Sequence, residues 1–528
     1  MAQPTEPPPP SPPPPPPPPG LEPTCRDHDG DTTAPDTPTN LRPPCFKSTL
    51  HEVLFVLTAT MAIAQGSLLG APSPACALTN GAFLLFFGKV ADLFGRKILF
   101  VASLLLFAVF SLAAGFARSG LVLDLLNGFI GLTCASAIPP AAGLLGVIYD
   151  RPSPRKNYAF ACFSAGNPLG FVFGTIFGGL ATSLGGWRAS FYLMAIIFLL
   201  FTLIGLATIP PDPAPHHPWN LHTLHTFDLP GTLLMIFGIG MFSAALSLGS
   251  TAPHGWTTPY VLALLLVGLA LILAFVAWDT HYPHPLVPMT IWRDRNFSLC
   301  LVIMMLGFMA FTPGVFFIAL YLQDAWRLSA LMVAVRLLPM AVVGFLVNTL
   351  AGLTLHRISN KLLMLIGAAA YTVGFLLAAL NTHSSSYWAF LFPSFILLVI
   401  GADLEFNVAN MYVMSSMPAH QQSIAGGIFQ TAAKLCMTLG FGIATAIFNS
   451  AEPARGDSPY WDRETRPYSA VFWFACATSA ASVALVPFLT LGTQGAKKAE
   501  VVAVREDDDR QEKSGAEASV VTGVEVGT

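Results

Sequence analysis

Charge is what this chain has least of. Asp, Glu, Lys and Arg make up 10% of its 528 residues, against about 25% in a soluble globular protein. That excludes a fold with an ordinary water-facing surface. Net charge is −3, so no bulk basic surface is available and no nucleic-acid partner is expected. Cysteine is sparse as well. The eight cysteines show no paired spacing. Cys25 and Cys45 lie in a polar N-terminal stretch and the others in apolar runs, so free thiols are expected rather than a disulfide framework. The start of the chain has no basic patch followed by a short apolar core, so no cleavable signal peptide is expected, and the first apolar run would act as an uncleaved anchor. No nucleotide-binding loop and no nucleophile–base arrangement is visible, which argues against an enzyme and against a bound cofactor. His216, His217, His222 and His225 cluster in one loop, but no carboxylate or cysteine completes a ligand set, so no metal is expected.

What the chain has instead is hydrophobic length: 54% apolar residues and a mean hydropathy of +0.62. Apolar runs fall at roughly 50–69, 75–88, 98–117, 120–148, 158–183, 189–209, 229–249, 259–279, 298–321, 332–355, 361–380, 387–414, 422–449 and 468–492, about fourteen spans of the ~20 residues a bilayer requires. An all-α polytopic membrane protein is expected. Residues 1–48 are polar and carry the proline runs Pro7–Pro10 and Pro12–Pro19, which favour polyproline II and build no core. A disordered tail is expected there; docking to a proline-recognising domain is the alternative. Residues 493–528 are mixed in charge and read as a second disordered tail.

The densest charge in the early spans is Gly88-Lys-Val-Ala-Asp92-Leu-Phe-Gly95-Arg96-Lys97. Two glycines, one acid and three bases between apolar runs predict a tight turn, and the bases place it in the cytoplasm. With that loop inside, about 18 of the 26 Lys and Arg residues fall inside, about 7 outside, and Lys434 stays in a span. Both termini are then cytoplasmic. Asn296-Phe297-Ser298 matches a glycosylation sequon, but on this topology it is cytoplasmic and unmodified. Span 2 stands out. Between Pro74 and Lys89 it has only about 14 residues, roughly 21 Å of helix against a ~30 Å core. Either a segment is missing here, or the span is short and tolerated by local thinning or a shifted span 1.

Three spans carry polar or small residues in patterns. Span 5 reads Gly166-Asn-Pro168-Leu-Gly170-Phe-Val-Phe-Gly174-Thr-Ile-Phe-Gly178-Gly179, with glycine every four residues on one helix face. Span 12 places Asp403, Asn407 and Asn410 on one face at i, i+4 and i+7, with Glu405 pointing nearly opposite. Span 13 has Gln430, Lys434 and Thr438 at i, i+4 and i+8. A lysine in a span needs a partner, and Asp403 or Glu405 is the expected one, as a cavity-lining ion pair or a fixed interhelical brace. Asp124, in Asp124-Leu-Leu-Asn127-Gly128 near the outer end of span 4, is a proton site or an interfacial residue near Arg118.

The spacing G-x-x-x-D-x-x-G-R-K over Gly88, Asp92, Gly95, Arg96 and Lys97 resembles the loop between helices 2 and 3 of the major facilitator superfamily. The span-5 glycines followed by Gly186-Trp187-Arg188 resemble the antiporter signature of its fourteen-span drug:proton antiporters, with Thr175 where that signature has proline. Phe160–Pro168 and Gln422–Gly427 are similar to fungal members. The resemblance covers residues 48–492. It departs in span 4, where Asp124 stands in place of the arginine that the resemblance implies for the proton relay. The resemblance implies two six-helix bundles at 49–210 and 298–492, with two linking helices in 211–297. The acid of the loop would brace a neighbouring helix and latch one state, while span 5 would act as hinge and seal. The activity implied is proton-coupled export of small organic compounds, with the proton gradient as energy source. A permease for a small ammonium- or borate-like solute and a non-transporting sensor remain alternatives. The expected setting is the lipid bilayer, as a monomer, in the plasma membrane first and the vacuolar membrane second.

Overall fold

The computed structural model describes residues 43, 45–68, 74–149, 154–210, 228–249, 252–253, 255–282, 285–287, 289–354, 358–382, 385–418, 421–451 and 465–491. The proline runs, the four-histidine cluster and both expected tails beyond these bounds lie outside the described residues, as do the side chains of Pro168, Thr175 and Gly179.

Among the described residues there are no strands. Fourteen α-helices of 20 to 32 residues follow one another: α1 (Thr49–Leu68), α2 (Pro74–Phe94), α3 (Arg96–Gly115), α4 (Gly120–Ile148), α5 (Pro154–Gly185), α6 (Trp187–Thr208), α7 (Leu229–Leu248), α8 (Pro259–His281), α9 (Arg295–Asp324), α10 (Ala330–Thr354), α11 (Asn360–Ala379), α12 (Leu391–Ser415), α13 (Gln422–Ser450) and α14 (Arg466–Leu485). Eleven are long and apolar enough to cross a membrane by length and composition; α2 and α5 are not among them, and α1 meets the hydropathy criterion only as the shorter stretch Thr49–Gln65. The outer surface is apolar. Leu105, Leu106, Val109 and Leu112 of α3 and Leu199, Leu200, Leu203 and Leu206 of α6 all stand exposed, a stripe that only hydrocarbon can cover.

Two expectations about the start of the chain are sharpened. The apolar run of span 2 lies in a longer helix: α2 has 21 residues, about 31 Å at 1.5 Å per residue, although it is not among the helices apolar enough throughout to count as a span. The Gly88–Lys97 cluster is not a loop, because α2 runs through it to Phe94 and α3 starts at Arg96. Only Gly95 separates them, at φ 110°, ψ 125°, a conformation that an L side chain rarely adopts. The charges do not end the helix because they are met by partners from another helix, described below. In α4, Pro139 and Pro140 lie inside one continuous helix.

Helices α1–α6 pack on one another, chiefly as α2 on α4, α1 on α5, and α3 on α4 and α6. Helices α9–α14 do the same, chiefly as α11 on α12 and α14, and α9 on α13 and α14. The two groups meet where α5 packs on α10 and where α2 and α4 pack on α13. Helices α7 and α8 pair with each other, and α7 rests on α2 and α13. Asp228 caps α7 and accepts from Trp278 Nε1 of α8 at 3.0 Å. Asp279 accepts from the backbone of Leu286 and Val287, and Lys89 of α2 donates to Pro285 O at 3.3 Å. The linking pair is thus tied to the charged end of α2.

Candidate functional site

The charged end of α2 closes onto the far half of the molecule. Asp92 Oδ1 accepts from Ser423 N at 3.1 Å and Oδ2 from Ile424 N at 3.0 Å. Both donors belong to the first turn of α13, whose amides have no partner within their own helix. A carboxylate there also meets the positive end of the helix dipole. Arg96, fully buried, completes the joint: its Nη2 lies 2.8 Å from Asp92 Oδ1, and its Nε donates to Ser423 Oγ at 3.0 Å. Gly88, one turn before Asp92, lets the backbone of Ser423 approach, since a Cβ at that position would run into Ser423 O. Two hydrogen bonds to a charged acceptor are worth roughly 1.5–3 kcal/mol each. That is close to the ~5.5 kcal/mol separating a 1:99 from a 99:1 two-state mixture.

Deeper between the halves is a cavity of about 30 Å³, room for a few waters. Its walls come from α1, α2, α4 and α5 on one side and α9, α12 and α13 on the other. Asn80, Asn167, Gln430 and Lys434 supply its polar groups, and Phe308 and Phe406 supply aromatic walls. Asn80 is 5% exposed, and its Oδ1 has no hydrogen-bond partner. A wider recess of about 580 Å³ lies between α7 and α13 beside Trp256, but no ionisable side chain lines it.

Lys434 does not pair with Asp403 or Glu405. Among the described residues the ion pairs are Asp92–Arg96 and Glu52–Arg155. The Lys434 side chain packs against Gly81 of α2, and the ionisable groups nearest its amine are the thiols of Cys76 and Cys134. The two acids are turned into the second half. Asp403 lies beside Asn348 of α10, and Asn407 Nδ2 donates to Asn348 Oδ1 at 2.8 Å and to Asp403 O at 2.7 Å. Glu405 is 0% exposed and lies against Gly307 of α9 and against Gly367 and the Tyr371 ring of α11. Both Glu405 oxygens, Asp403 Oδ2 and the Tyr371 hydroxyl lack hydrogen-bond partners. This layer sits where one apolar cluster, with Met304, Phe308 and Leu404, gives way to another, with Ala310, Phe375 and Ala402. The reason Lys434 misses the acids is rotational. The acids of α12 face α9, α10 and α11, whereas Lys434 faces the other half.

The remaining predicted residues are dispersed. Asp124 is exposed in the second turn of α4, and Asn127 is half-buried. Gly166, Gly170 and Gly174 are buried, and Gly166 abuts Thr60 O of α1; Gly178 has open space around it. Lys97 donates to Ile209 O, tying α3 to the end of α6.

Sequence reasoning missed a second buried joint. Glu52 accepts from Arg155 Nη1 at 2.7 Å and from Tyr149 Oη at 2.9 Å, fastening α1 to the α4–α5 connection. Burial first, and then the Glu52 carboxylate, pushes the Tyr149 phenol well above its ordinary pKa, so it stays a donor. It also missed Asn80, Asn348 and Tyr371. A lone amide in an apolar run was the available signal for the first two.

A bundle of long apolar helices in two groups, joined at one end by breakable polar contacts over a central cavity, defines a polytopic membrane transporter fold. Residues 43–222 match the family described as the Major Facilitator Superfamily. The chain is 30% identical over 396 residues to a low affinity ammonium transporter of Saccharomyces cerevisiae, covering 73% of this chain and 76% of that protein. It is 27% identical over 419 residues to the efflux pump terJ of Aspergillus terreus, covering 79% of each. The human organic anion transporter MFSD10 has a similar fold, with a TM-score of 0.59 at 11% identity over 84% of this chain and 100% of that one. The chain belongs to the major facilitator superfamily.

Proposed function

We propose that this chain exports small organic compounds in exchange for protons by alternating access. Fourteen helices span the membrane, both termini are cytoplasmic, and the protein works as a monomer in the plasma membrane. The observation that carries this reading is the joint between Asp92 and the first turn of α13. It crosses from one half to the other, so rocking of the halves must break and remake it. With the α2–α3 connection on the cytoplasmic side, the joint seals that side, and the central cavity, at about 30 Å³, has room for only a few waters. Glu405 is proposed as the group that takes up a proton on one side and releases it on the other. Burying an unpaired charge costs several kcal/mol, so the gain or loss of one proton there can bias the packing of α9, α11 and α12. The export direction rests on the span-5 glycine pattern and on the efflux relative.

A second reading is favoured by the ammonium-transporting relative: a permease for a small polar solute. Proteoliposomes holding the purified chain and an imposed pH gradient separate the two. The export reading expects gradient-driven movement of fluorescent organic compounds and none of radiolabelled methylammonium. Methylammonium uptake, with no organic compound moved, would overturn it.

A further inference from the structure

We propose that the compound carried through the central cavity bears a negative charge, a carboxylate on an aromatic-sized apolar body, and that Lys434 neutralises it. This deepens the transport reading and rests on it. Lys434 is the single charged side chain among the residues lining the cavity. Among the described residues no acid lies within ion-pair reach of it, and the ionisable groups beside it are the thiols of Cys76 and Cys134. A cation held in a membrane span without a counter-charge is costly. An incoming anion removes that cost, whereas an incoming cation adds like-charge repulsion on top of it. The acids that could have served a cationic compound, Asp403 and Glu405, are turned away into the second bundle.

The surroundings of the amine complete the description of the ligand. Asn80 of α2 and Gln430 of α13 border the cavity, both buried, and each carries an amide NH2 that can donate to a carboxylate. These amides suit the polar end of the compound. Phe308 and Phe406, with ring centroids 5.9 Å apart, offer apolar faces for its body. Lys434 and Gln430 belong to one half and Asn80 to the other, so a bound carboxylate touches both halves. The space must widen well beyond about 30 Å³ to admit such a body, which ties binding to opening of the halves.

The test uses three probes that differ in charge and little in shape: 1-naphthoate, 1-naphthamide and 1-naphthylmethylamine. Binding to the purified full chain is read by thermal shift and by competition with radiolabelled 1-naphthoate. The expected result is 1-naphthoate binding at least about tenfold tighter than either other probe. In Lys434→Gln that preference is lost, and in Lys434→Arg it is kept. Both variants should melt close to the parent when unliganded, which separates a lost site from a lost fold. Equal or absent binding of all three probes overturns the proposal. So does 1-naphthoate binding that survives in Lys434→Gln, or an equal effect of chloride and phosphate, which would mark a small inorganic anion site. Binding needs no pH gradient. Charge-selective binding without gradient-driven flux would therefore sink the export reading and leave the anion site standing. Flux of organic compounds without charge preference would do the reverse.

Discussion

In helices α1–α6 the buried acids have partners. Glu52 is held by Arg155 and Tyr149, and Asp92 by Arg96 and two amides of α13. In helices α9–α14, Glu405 has no partner for either oxygen, and Asp403 has none for Oδ2. The paired acids sit at helix ends and fasten one element to another. The unpaired ones sit mid-helix in α12, between two apolar clusters. Buried charges normally come paired, and an unpaired acid in the middle of a span is a candidate functional group. The first half therefore holds the joints, and the second half holds the group proposed to respond to protons.

The connections after α2 and after α10 differ in the same sense. The first reads Gly88…Asp92…Gly95-Arg96-Lys97, and at equal spacing the second reads Gly352…His356…Ser359-Asn360-Lys361. His356 lies outside the described residues, but the second stretch contains no acid at all. Ser359 has an extended backbone and caps α11 through Leu362 N at 3.3 Å, an ordinary helix start. Gly95 takes a positive φ, which lets α3 follow α2 after a single residue. The acid-bearing latch thus belongs to one half alone.

The largest expected effect is at that latch. Asp92→Asn removes the charge that two α13 amides and Arg96 share, and breaking a buried pair costs roughly 3–5 kcal/mol. Transport in proteoliposomes should fall by more than about tenfold, with normal amounts of protein in the membrane. An unchanged rate would mean that the joint is not broken and remade during the cycle. The next two substitutions exchange their signatures across the halves. Glu52→Gln should lower unfolding stability by roughly 1–3 kcal/mol, with flux per molecule within about twofold of the parent. Glu405→Gln loses no ion pair, so its stability should stay within about 1 kcal/mol, while gradient-driven flux disappears. If Glu405→Gln lowers stability by several kcal/mol and the folded protein still transports at the parent rate, the contrast between the halves is reversed.

Much of the fold was legible in the sequence but little of this contrast, and the failures have physical causes. Hydrophobic run length located every helix, because a span must satisfy its backbone internally and stay apolar. The Asp92 cluster stood out because charge is so rare elsewhere. Its geometry was misread as a turn, since composition alone does not reveal that a distant helix start supplies the partners that let α2 continue. Helical spacing separated Asp403 from Glu405, because periodicity fixes the face within one helix. The partner of Lys434 was misassigned because nothing in one sequence fixes the rotation of α13 against α12. The Glu52 joint stayed hidden because its members lie about a hundred positions apart in the chain.

The smallest expected effect tests the contrast from the other side. Asp124, which the family resemblance sets in the place of an arginine, is exposed in the second turn of α4. No described ion pair involves it. A charge near a helix start is worth about 0.3–1 kcal/mol, less beyond the first turn, and exposed substitutions seldom exceed about 0.5 kcal/mol. Asp124→Asn should therefore leave stability within that margin and gradient-driven flux within about twofold. Tenfold loss of flux with intact folding would place a second unpaired working acid in the first half. Protons would then act on both bundles, and the division between a half that fastens and a half that responds would fail.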